Sequence, residues 1–225
     1  MLFLADELFS YNEEHIENVV NILKERNLKV GGLFVHSGFF TDKIAKKIKN
    51  ISNTVVFGGE NCCDNILRLA NKVQTFESLM RAVEIAKRND LKVSLEWIVG
   101  LPGETKETAI KNINMIYSLI VKKKVDDINT YVYCPYPNTE FEINSWKYGM
   151  KIHDSIDEML EEGFPTYSLK NLTSNQIYVY YLMTQLAIKM AFADRDELSD
   201  SFLPSESNFD RMGEIFDRIG ENRTC

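Results

Sequence analysis

Five short apolar runs in this sequence each lead into residues that can bind a small molecule. The segments at the ends of the runs are Ala5-Asp6-Glu7, His36-Ser37-Gly38, Gly58-Gly59-Glu60-Asn61, Ile98-Val99-Gly100-Leu101 and Tyr133-Cys134-Pro135. Ionised carboxylates accept hydrogen bonds from an ammonium group or from ribose hydroxyls. Glycines let a ligand approach the backbone closely. Each segment alone is typical of a turn, whereas five of them on one rim predict a ligand site.

Three of the four cysteines lie in or directly after these segments. They are Cys62, Cys63 and Cys134. Thiolates that meet in space can bind a metal ion or a cluster. Adjacent cysteines chelate one metal poorly, however, and the usual short spacings are missing, so we favour structural or incidental thiols and predict no metal site. His36 could contact a ligand, although a structural histidine is the favoured interpretation.

The apolar runs alternate with stretches of helical periodicity, as in βα units. The predicted strands are Met1–Ala5, Leu28–Val35, Thr54–Gly58, Lys92–Val99 and Ile128–Cys134. Helices are predicted to begin near Ser10, Thr41, Thr75 and Thr105, and Ser10 with Glu13 has the spacing of a capping box. The alternation predicts a parallel α/β sheet, whose active site lies at the carboxyl ends of the strands.

The pattern changes beyond Pro135. Residues 146–225 contain helical stretches, best seen over 173–193, and no clear strand. The last residues are polar, and we expect them to be loosely held. The sequence therefore predicts two parts, an α/β domain over residues 1–145 and a helical C-terminal extension over residues 146–225.

Composition excludes several classes of protein. A hydrophobic fraction of 44% supports a real core, which a disordered chain lacks. The formal net charge of −7 argues against nucleic acid as a partner. No apolar stretch approaches the ~18 residues of a membrane span, and the first residues do not form a secretory signal. Four cysteines make no disulfide framework, so we expect a protein of the reducing cytoplasm.

Four segments, in their order along the chain, resemble the radical S-adenosylmethionine (radical SAM) superfamily, particularly its cobalamin-binding branch. They are Phe3–Phe9, Gly58–Lys72, Gly100–Thr105 and Pro135–Thr139. The first is similar to a strand that ends in an acidic pair and an aromatic residue, and the second to Gly-x-Glu followed by Leu-x-x-x-x-Lys. The third reads Gly-Leu-Pro-Gly-Glu-Thr, and the fourth is similar to Pro-Tyr-Pro-Gly-Thr. The resemblance covers about residues 1–140 and implies a partial (βα) barrel of parallel strands.

The resemblance also implies a SAM site on the rim described above. Its residues would be Asp6, Glu7, Gly59, Glu60, Asn61, Ile98, Gly100, Tyr133 and Pro135. Asp6 and Glu7 would lie near the amino-acid end of SAM, and Glu60 near its methionine or ribose part. Ile98 and Gly100 would pack near the adenine. We regard Glu60 as central, because a carboxylate that ends a buried strand is costly without a partner.

The chain departs from the family at the 4Fe-4S cluster. The family holds this cluster on Cys-x-x-x-Cys-x-x-Cys in the loop after its first strand, and that spacing occurs nowhere in the sequence. The resemblance therefore places Met1 at the family's second strand. An upstream segment or a partner chain would then complete the barrel and cover its open edge. Cobalamin would belong to the full-length protein.

Two hypotheses follow for the function. In the first, the chain is the later part of a radical SAM enzyme, inactive alone, which with SAM and a 4Fe-4S cluster would act on a small-molecule or peptide substrate. In the second, the chain is a cluster-free relative that binds a ligand or a partner without catalysis. We favour the first hypothesis.

Overall fold

The computed structural model describes Leu2, Leu4, residues 9–153 and residues 164–197. Asp6 and Glu7, predicted for the ligand site, lie outside these residues, as does the predicted loose terminus. The chain divides into two units. Unit 1 comprises Met1–Glu60, Val73–Trp97 and Lys122–Asn129, and unit 2 comprises Asn61–Lys72, Ile98–Val121 and Thr130–Cys225.

The fold contains one four-stranded parallel sheet. Its strands are β1 (Leu33–Phe34), β2 (Thr54–Glu60), β3 (Lys92–Val99) and β4 (Asp127–Val132). They lie in the order β1-β2-β3-β4, so the order in the sheet follows the order in the chain. The predicted parallel α/β fold is confirmed.

Seven α-helices accompany the strands in the described part of the chain. They are α1 (Glu13–Glu25), α2 (Asp42–Lys49), α3 (Asp64–Leu69), α4 (Phe76–Arg88), α5 (Lys106–Val121), α6 (Glu140–Ile143) and α7 (Ser174–Glu197). Short 3-10 helices span Phe9–Tyr11, Ser37–Phe39 and Ser145–Tyr148. The four predicted helices are α1, α2, α4 and α5, whereas α3 is too short to show a period.

Side-chain caps fix where the helices begin. The hydroxyl of Thr41 accepts from the backbone of α2, and Thr75 forms a capping box with Ser78 at the start of α4. The predicted cap of α1 at Ser10 is wrong, because Asn12 accepts the Glu14 N–H at 2.8 Å. The Ser10 hydroxyl instead accepts the His36 N–H at 2.9 Å.

The core of unit 1 lies on one face of β2 and β3. Val55, Phe57, Val93, Leu95 and Trp97 alternate along these strands, and each has an exposed fraction of 0%. The apolar faces of α1, α2 and α4 are buried in the same unit. This alternation follows from the strand geometry, in which successive side chains point to opposite faces.

The predicted strands differ in how well they match. Lys92–Val99 is β3 in full, but only Leu33 and Phe34 of the second predicted strand form β1. Gly31 and Gly32 precede β1 and lack the side chains that support a strand. Of the predicted strand Met1–Ala5, Leu2 pairs with Val30 in a parallel bridge, and most of the remainder lies outside the described residues.

Unit 2 contains a small second sheet and a long helix. Strands β5 (Met150–Ile152) and β6 (Tyr167–Leu169) pair antiparallel. The prediction that residues 146–225 hold no strand is therefore wrong, since strands of three residues are too short to show a period. Helix α7 packs along α5, and the Tyr117 hydroxyl donates to Asp194. The boundary at residue 145 stays a prediction.

None of the helices in the described residues has the length and apolar character needed to cross a bilayer.

Candidate functional site

A polar sheet face lies in unit 1 on β3 and β4, opposite the buried face of β3. Glu96 is half-buried there, and its Oε1 accepts a hydrogen bond from Asn129 Nδ2 at 3.2 Å. Ser94 Oγ donates to Asp127 Oδ2 at 3.4 Å on the same face. This face offers carboxylate and amide groups to a ligand. This face was not predicted, although the alternation of polar and apolar residues from Ser94 to Trp97 was a signal for it.

The end of β2 in unit 1 has an irregular backbone at the predicted site residues Gly59 and Glu60. The register against β3 shifts between Gly58 and Glu60, and Glu60 has a φ of 58°. A non-glycine residue in this left-handed region costs about 1–3 kcal/mol, and such residues cluster at functional sites. Glu60 is only 9% exposed.

The two glycines before Glu60 have close neighbours within unit 1. A Cβ on Gly58 would stand 2.8 Å from Glu60 Oε1, and one on Gly59 would stand 3.0 Å from the Trp97 ring. Any larger residue would therefore push the Glu60 carboxylate or the indole away. Glycine at these two positions thus leaves room for the Glu60 carboxylate and the Trp97 indole as they lie.

Glu104 is the centre of a buried hydrogen-bond network in unit 2. Its exposed fraction is 2%. Glu104 Oε2 accepts the Gly100 N–H at 2.7 Å, and its Oε1 accepts from Asn61 Nδ2 at 2.6 Å. A single carboxylate therefore joins the segment that follows β2 to the end of β3.

Two amide side chains extend this network into the loop after β2. Asn61 Oδ1 accepts the Cys63 N–H at 2.9 Å, and Asn112 Oδ1 accepts the Cys62 N–H at 2.8 Å. Asn112 Nδ2 also lies 3.4 Å from Glu104 Oε1. Asn61 was a predicted site residue, whereas Glu104 was noted only as part of the Gly100–Thr105 segment and Asn112 was not predicted, because the bonds of these two residues to the loop after β2 span 43 and 50 residues. The spacing of the Gly-Leu-Pro-Gly-Glu-Thr segment was the available signal for Glu104.

Burial raises the pKa of Glu104 to about 8, and the hydrogen bonds from Gly100 and Asn61 oppose this shift only in part. In the unfolded chain the carboxyl titrates near its ordinary value of about 4.3. Between these two values the folded chain holds a proton that the unfolded chain has released. The contribution of Glu104 to stability is therefore present at low pH and is lost as the pH rises through about 8.

We expect the free energy of unfolding to fall as the pH rises from 5 to 8, and Glu104→Gln to remove part of that dependence. One bound proton corresponds to a slope of about 1.4 kcal/mol per pH unit. Urea unfolding of the parent chain and of Glu104→Gln across this range gives the slope of the unfolding free energy against pH for each. The difference between the two slopes reports Glu104 alone, because the other titrating groups are common to both chains. If the unfolding free energies of the two chains changed in parallel with pH, Glu104 would be ionised throughout the range from pH 5 to 8.

Gly100 has neighbours from the C-terminal part of unit 2. Its φ is +85°, and the Tyr167 hydroxyl donates to its carbonyl oxygen at 2.8 Å. A Cβ at this position would overlap Tyr167 and would stand 2.7 Å from Ile177 Cγ2. The close approach that Gly100 permits is thus filled by the protein. That Gly100 and Ile98 lie near an adenine stays a prediction.

The cysteines do not form a metal site among the described residues, where no group of three or more metal-ligating side chains occurs. Cys62 and Cys63 are buried with their sulfur atoms 4.0 Å apart, and Cys134 is half-buried. The hydrogen bond between the two thiols lowers the pKa of Cys63, and the same bond together with burial raises the pKa of Cys62. These residues do not fit a 4Fe-4S cluster.

An aromatic cleft in unit 2 follows the end of β4. We use this name for the cleft of about 710 Å³ lined by Arg68, Tyr133, Glu140, Phe141, Lys147 and Tyr148, among others. Tyr133 is half-buried, and burial raises its pKa to about 12. Pro135, two residues further on, is buried. Tyr133 was a predicted site residue and Arg68 lies in a segment that resembles the superfamily, but the sequence did not indicate that they meet Phe141, Lys147 and Tyr148 in one cleft.

His36 has a structural role in unit 1. Its Nδ1 accepts the Gly38 N–H at 3.0 Å, which caps the 3-10 helix Ser37–Phe39. The favoured interpretation of this histidine is confirmed.

No protein-family model matches the chain. It is 28% identical over 156 residues to an uncharacterised protein of Methanocaldococcus jannaschii, covering 66% of this chain and 30% of that protein. It is 26% identical over 207 residues to an uncharacterised methyltransferase of Pyrococcus horikoshii, covering 83% of this chain and 42% of that protein. The chain thus spans less than half the length of these curated relatives.

Solved structures share the fold. A radical SAM methyltransferase of Kitasatospora setae, with cobalamin and a 4Fe-4S cluster bound, aligns with a TM-score of 0.54 at 17% identity, over 68% of this chain and 33% of that one. Archaeal Elp3 of Methanocaldococcus infernus aligns with a TM-score of 0.53 at 16% identity, over 80% of this chain and 43% of that one. Methylornithine synthase aligns with a TM-score of 0.52 at 15% identity, over 80% of this chain and 45% of that one. The fold is therefore a partial radical-SAM-like barrel with a C-terminal helix, as predicted.

Proposed function

We propose that this chain is the SAM-binding part of a radical SAM-type enzyme. The observation that carries the proposal is the position of Glu104, whose carboxylate bonds directly to Gly100 and Asn61. These residues belong to two of the segments whose resemblance to the superfamily implies contact with SAM. A buried carboxylate shared by both segments holds the strand ends in a fixed arrangement, as a preorganised ligand site requires.

The residues proposed to hold SAM are those that the resemblance implies: Asp6, Glu7, Gly59, Glu60, Asn61, Ile98, Gly100, Tyr133 and Pro135. Glu60 suits this task because it is a nearly buried acceptor with a strained backbone at a strand end. When bound, SAM supplies a sulfonium centre whose carbon substituents can be transferred or reductively released. The chain's own contribution is to bind and orient that molecule.

The cluster that the superfamily uses must be held elsewhere under this proposal. Cys62, Cys63 and Cys134 do not have the spacing of its ligands. We therefore assign the cluster ligands to a segment outside this sequence, whether on the same polypeptide or on a partner. The chain alone is expected to bind SAM without cleaving it, and cobalamin would bind outside this chain.

Isothermal titration of the 225-residue chain with SAM and with S-adenosylhomocysteine tests the proposal. We expect a dissociation constant near ~1 mM, because few contacts remain once the cluster anchor is removed. Glu60→Gln should weaken binding about tenfold, since charge-assisted hydrogen bonds contribute about 1.5–3 kcal/mol. Glu25→Gln, on an exposed turn of α1, is the matched control.

The proposal would be contradicted if a folded chain bound neither compound at a ligand concentration about tenfold above the expected dissociation constant. Binding that is unchanged in Glu60→Gln would keep the site and reject Glu60 as its central residue.

A second candidate is a cluster-free relative that binds a ligand or a partner without catalysis. The observation that favours it is the absence of the Cys-x-x-x-Cys-x-x-Cys spacing from the whole sequence. The genomic DNA upstream of the first codon discriminates between the two candidates. A reading frame that encodes this cysteine triplet after a strand supports the enzyme, and its absence from the locus favours the binding module.

A further inference from the structure

The aromatic cleft has the size and wall of a small-molecule site. Its volume of about 710 Å³ falls within the range of ligand pockets, about 300–1,000 Å³. It lies in unit 2, next to residues that follow α3 and β4. Ligands of parallel α/β folds bind where the chain leaves the carboxyl ends of the strands.

Three packed rings form one wall of the cleft. The rings of Tyr133 and Phe141 meet edge to face with centroids 5.8 Å apart, and those of Phe141 and Tyr148 with centroids 4.7 Å apart. The Tyr148 hydroxyl donates to Glu140 Oε1 at 2.9 Å, which fixes the last ring. Rings locked in this way offer flat surfaces on which a planar group packs.

The charge of the cleft is opposite in sign to that of the chain. Arg68 and Lys147 line it together with one carboxylate, Glu140, whereas the whole chain carries a formal charge of −7. The Lys147 ammonium lies 3.5 Å from that carboxylate. No ion pair to the exposed Arg68 is found within the described residues. The guanidinium is therefore available to an external anion.

A smaller cleft of about 360 Å³ adjoins the aromatic cleft and shares Lys147 with it. It adds the exposed Lys170 to its lining. Three cations, Arg68, Lys147 and Lys170, line the two clefts against two carboxyl groups, Glu104 and Glu140. The two clefts together thus form a locally cationic region on an acidic chain, which attracts anions.

We propose that the aromatic cleft binds an organic anion with a planar ring, with the anionic group at Arg68 and the ring against Tyr133, Phe141 and Tyr148. This inference rests on the proposed function and names the substrate class of that enzyme. The anionic group is a carboxylate or a phosphate, since a guanidinium binds both in bidentate fashion. A neutral or an aliphatic compound lacks one of the two interactions.

Four probes separate the contributions of charge and ring. They are 1-naphthoate, 1-naphthyl phosphate, the uncharged 1-naphthylmethanol and the non-aromatic cyclohexanecarboxylate, each titrated into the full chain without SAM by ligand-observed NMR. We expect at least one naphthyl anion to bind tenfold or more tightly than both the neutral and the aliphatic probe. The stronger of the two anions identifies the anionic group.

Variants assign the binding to the cleft. Arg68→Gln should weaken binding of the naphthyl anion at least fivefold and leave binding of 1-naphthylmethanol unchanged. Phe141→Ala should weaken binding of the naphthyl anion and of 1-naphthylmethanol alike. Lys46→Gln, an exposed cation of α2 in unit 1, is the matched control and should have no effect. Circular dichroism confirms that each variant is folded.

Equal binding of the charged and neutral naphthyl probes would overturn the proposal, as would an Arg68→Gln variant with unchanged anion affinity. Failure of all four probes to bind a folded chain would also overturn it. These results are independent of the SAM titration. Anion binding without SAM binding would support the anion site in the aromatic cleft and contradict the proposed SAM-binding function. SAM binding without anion binding would support the proposed function and contradict the anion site.

Discussion

Gly100→Ala is expected to lower the free energy of unfolding by about 3–5 kcal/mol. Two costs act together. A non-glycine residue at a φ of +85° costs about 1–3 kcal/mol, and the new Cβ overlaps Tyr167 and Ile177 in a packed region. Chemical denaturation in urea measures the change.

Gly31→Ala is the matched control for this substitution. Its Cβ would meet only Leu2 O at 3.9 Å, an ordinary contact, so its stability should stay within about 0.5 kcal/mol of the parent chain. In a Tyr167→Phe background the cost of Gly100→Ala should fall, because one of the overlapping atoms is gone. Equal unfolding midpoints for the two alanine variants would contradict this account of Gly100.

Glu104→Ala is expected to cost about 3 kcal/mol at pH 6. The Gly100 N–H and the Asn61 amide would each lose an acceptor in a place that water does not reach, and an unsatisfied buried donor costs about 1–3 kcal/mol. Removal of the side chain also leaves a cavity. Because Asn61 begins the loop after β2, hydrogen exchange of the Cys63 amide should accelerate as well.

The control for Glu104 is Glu107→Ala, in the first turn of α5. Glu107 is exposed, and its carboxylate accepts a hydrogen bond from the Thr105 hydroxyl at 2.7 Å. Such surface contacts are worth less than about 1 kcal/mol. If Glu104→Ala were as mild as Glu107→Ala, the network would not hold the strand ends, and the observation behind the proposed function would fail.

The sequence was informative where one element alone determines the pattern. β3 was predicted to the residue because its apolar run is long and ends at Gly100. The start of α4 was predicted near Thr75 because a regular apolar period follows that residue. It was uninformative for α3, β5 and β6, which are too short for a period to develop. The shortening of β1 reflects which backbone groups pair with β2, a tertiary contact that no local pattern contains.

The candidate site shows the same division between local and distant information. Local composition marked Glu60, Asn61 and Gly100 as unusual residues at strand ends. It did not indicate that Glu104 joins Asn61 to Gly100, or that Tyr167 fills the space beside Gly100, since these partners are 43 and 67 residues apart. The aromatic cleft was missed for the same reason, because its rings and its arginine come from separate segments.

The order of the strands has a consequence for synthesis on the ribosome. β2, β3 and β4 each pair with the strand made immediately before them, so the edge that a new strand needs is already present when it emerges. Closing each such loop costs little entropy, because the two strands are close in the chain. The sheet can therefore grow one strand at a time, from β1 to β4, as the chain is synthesised.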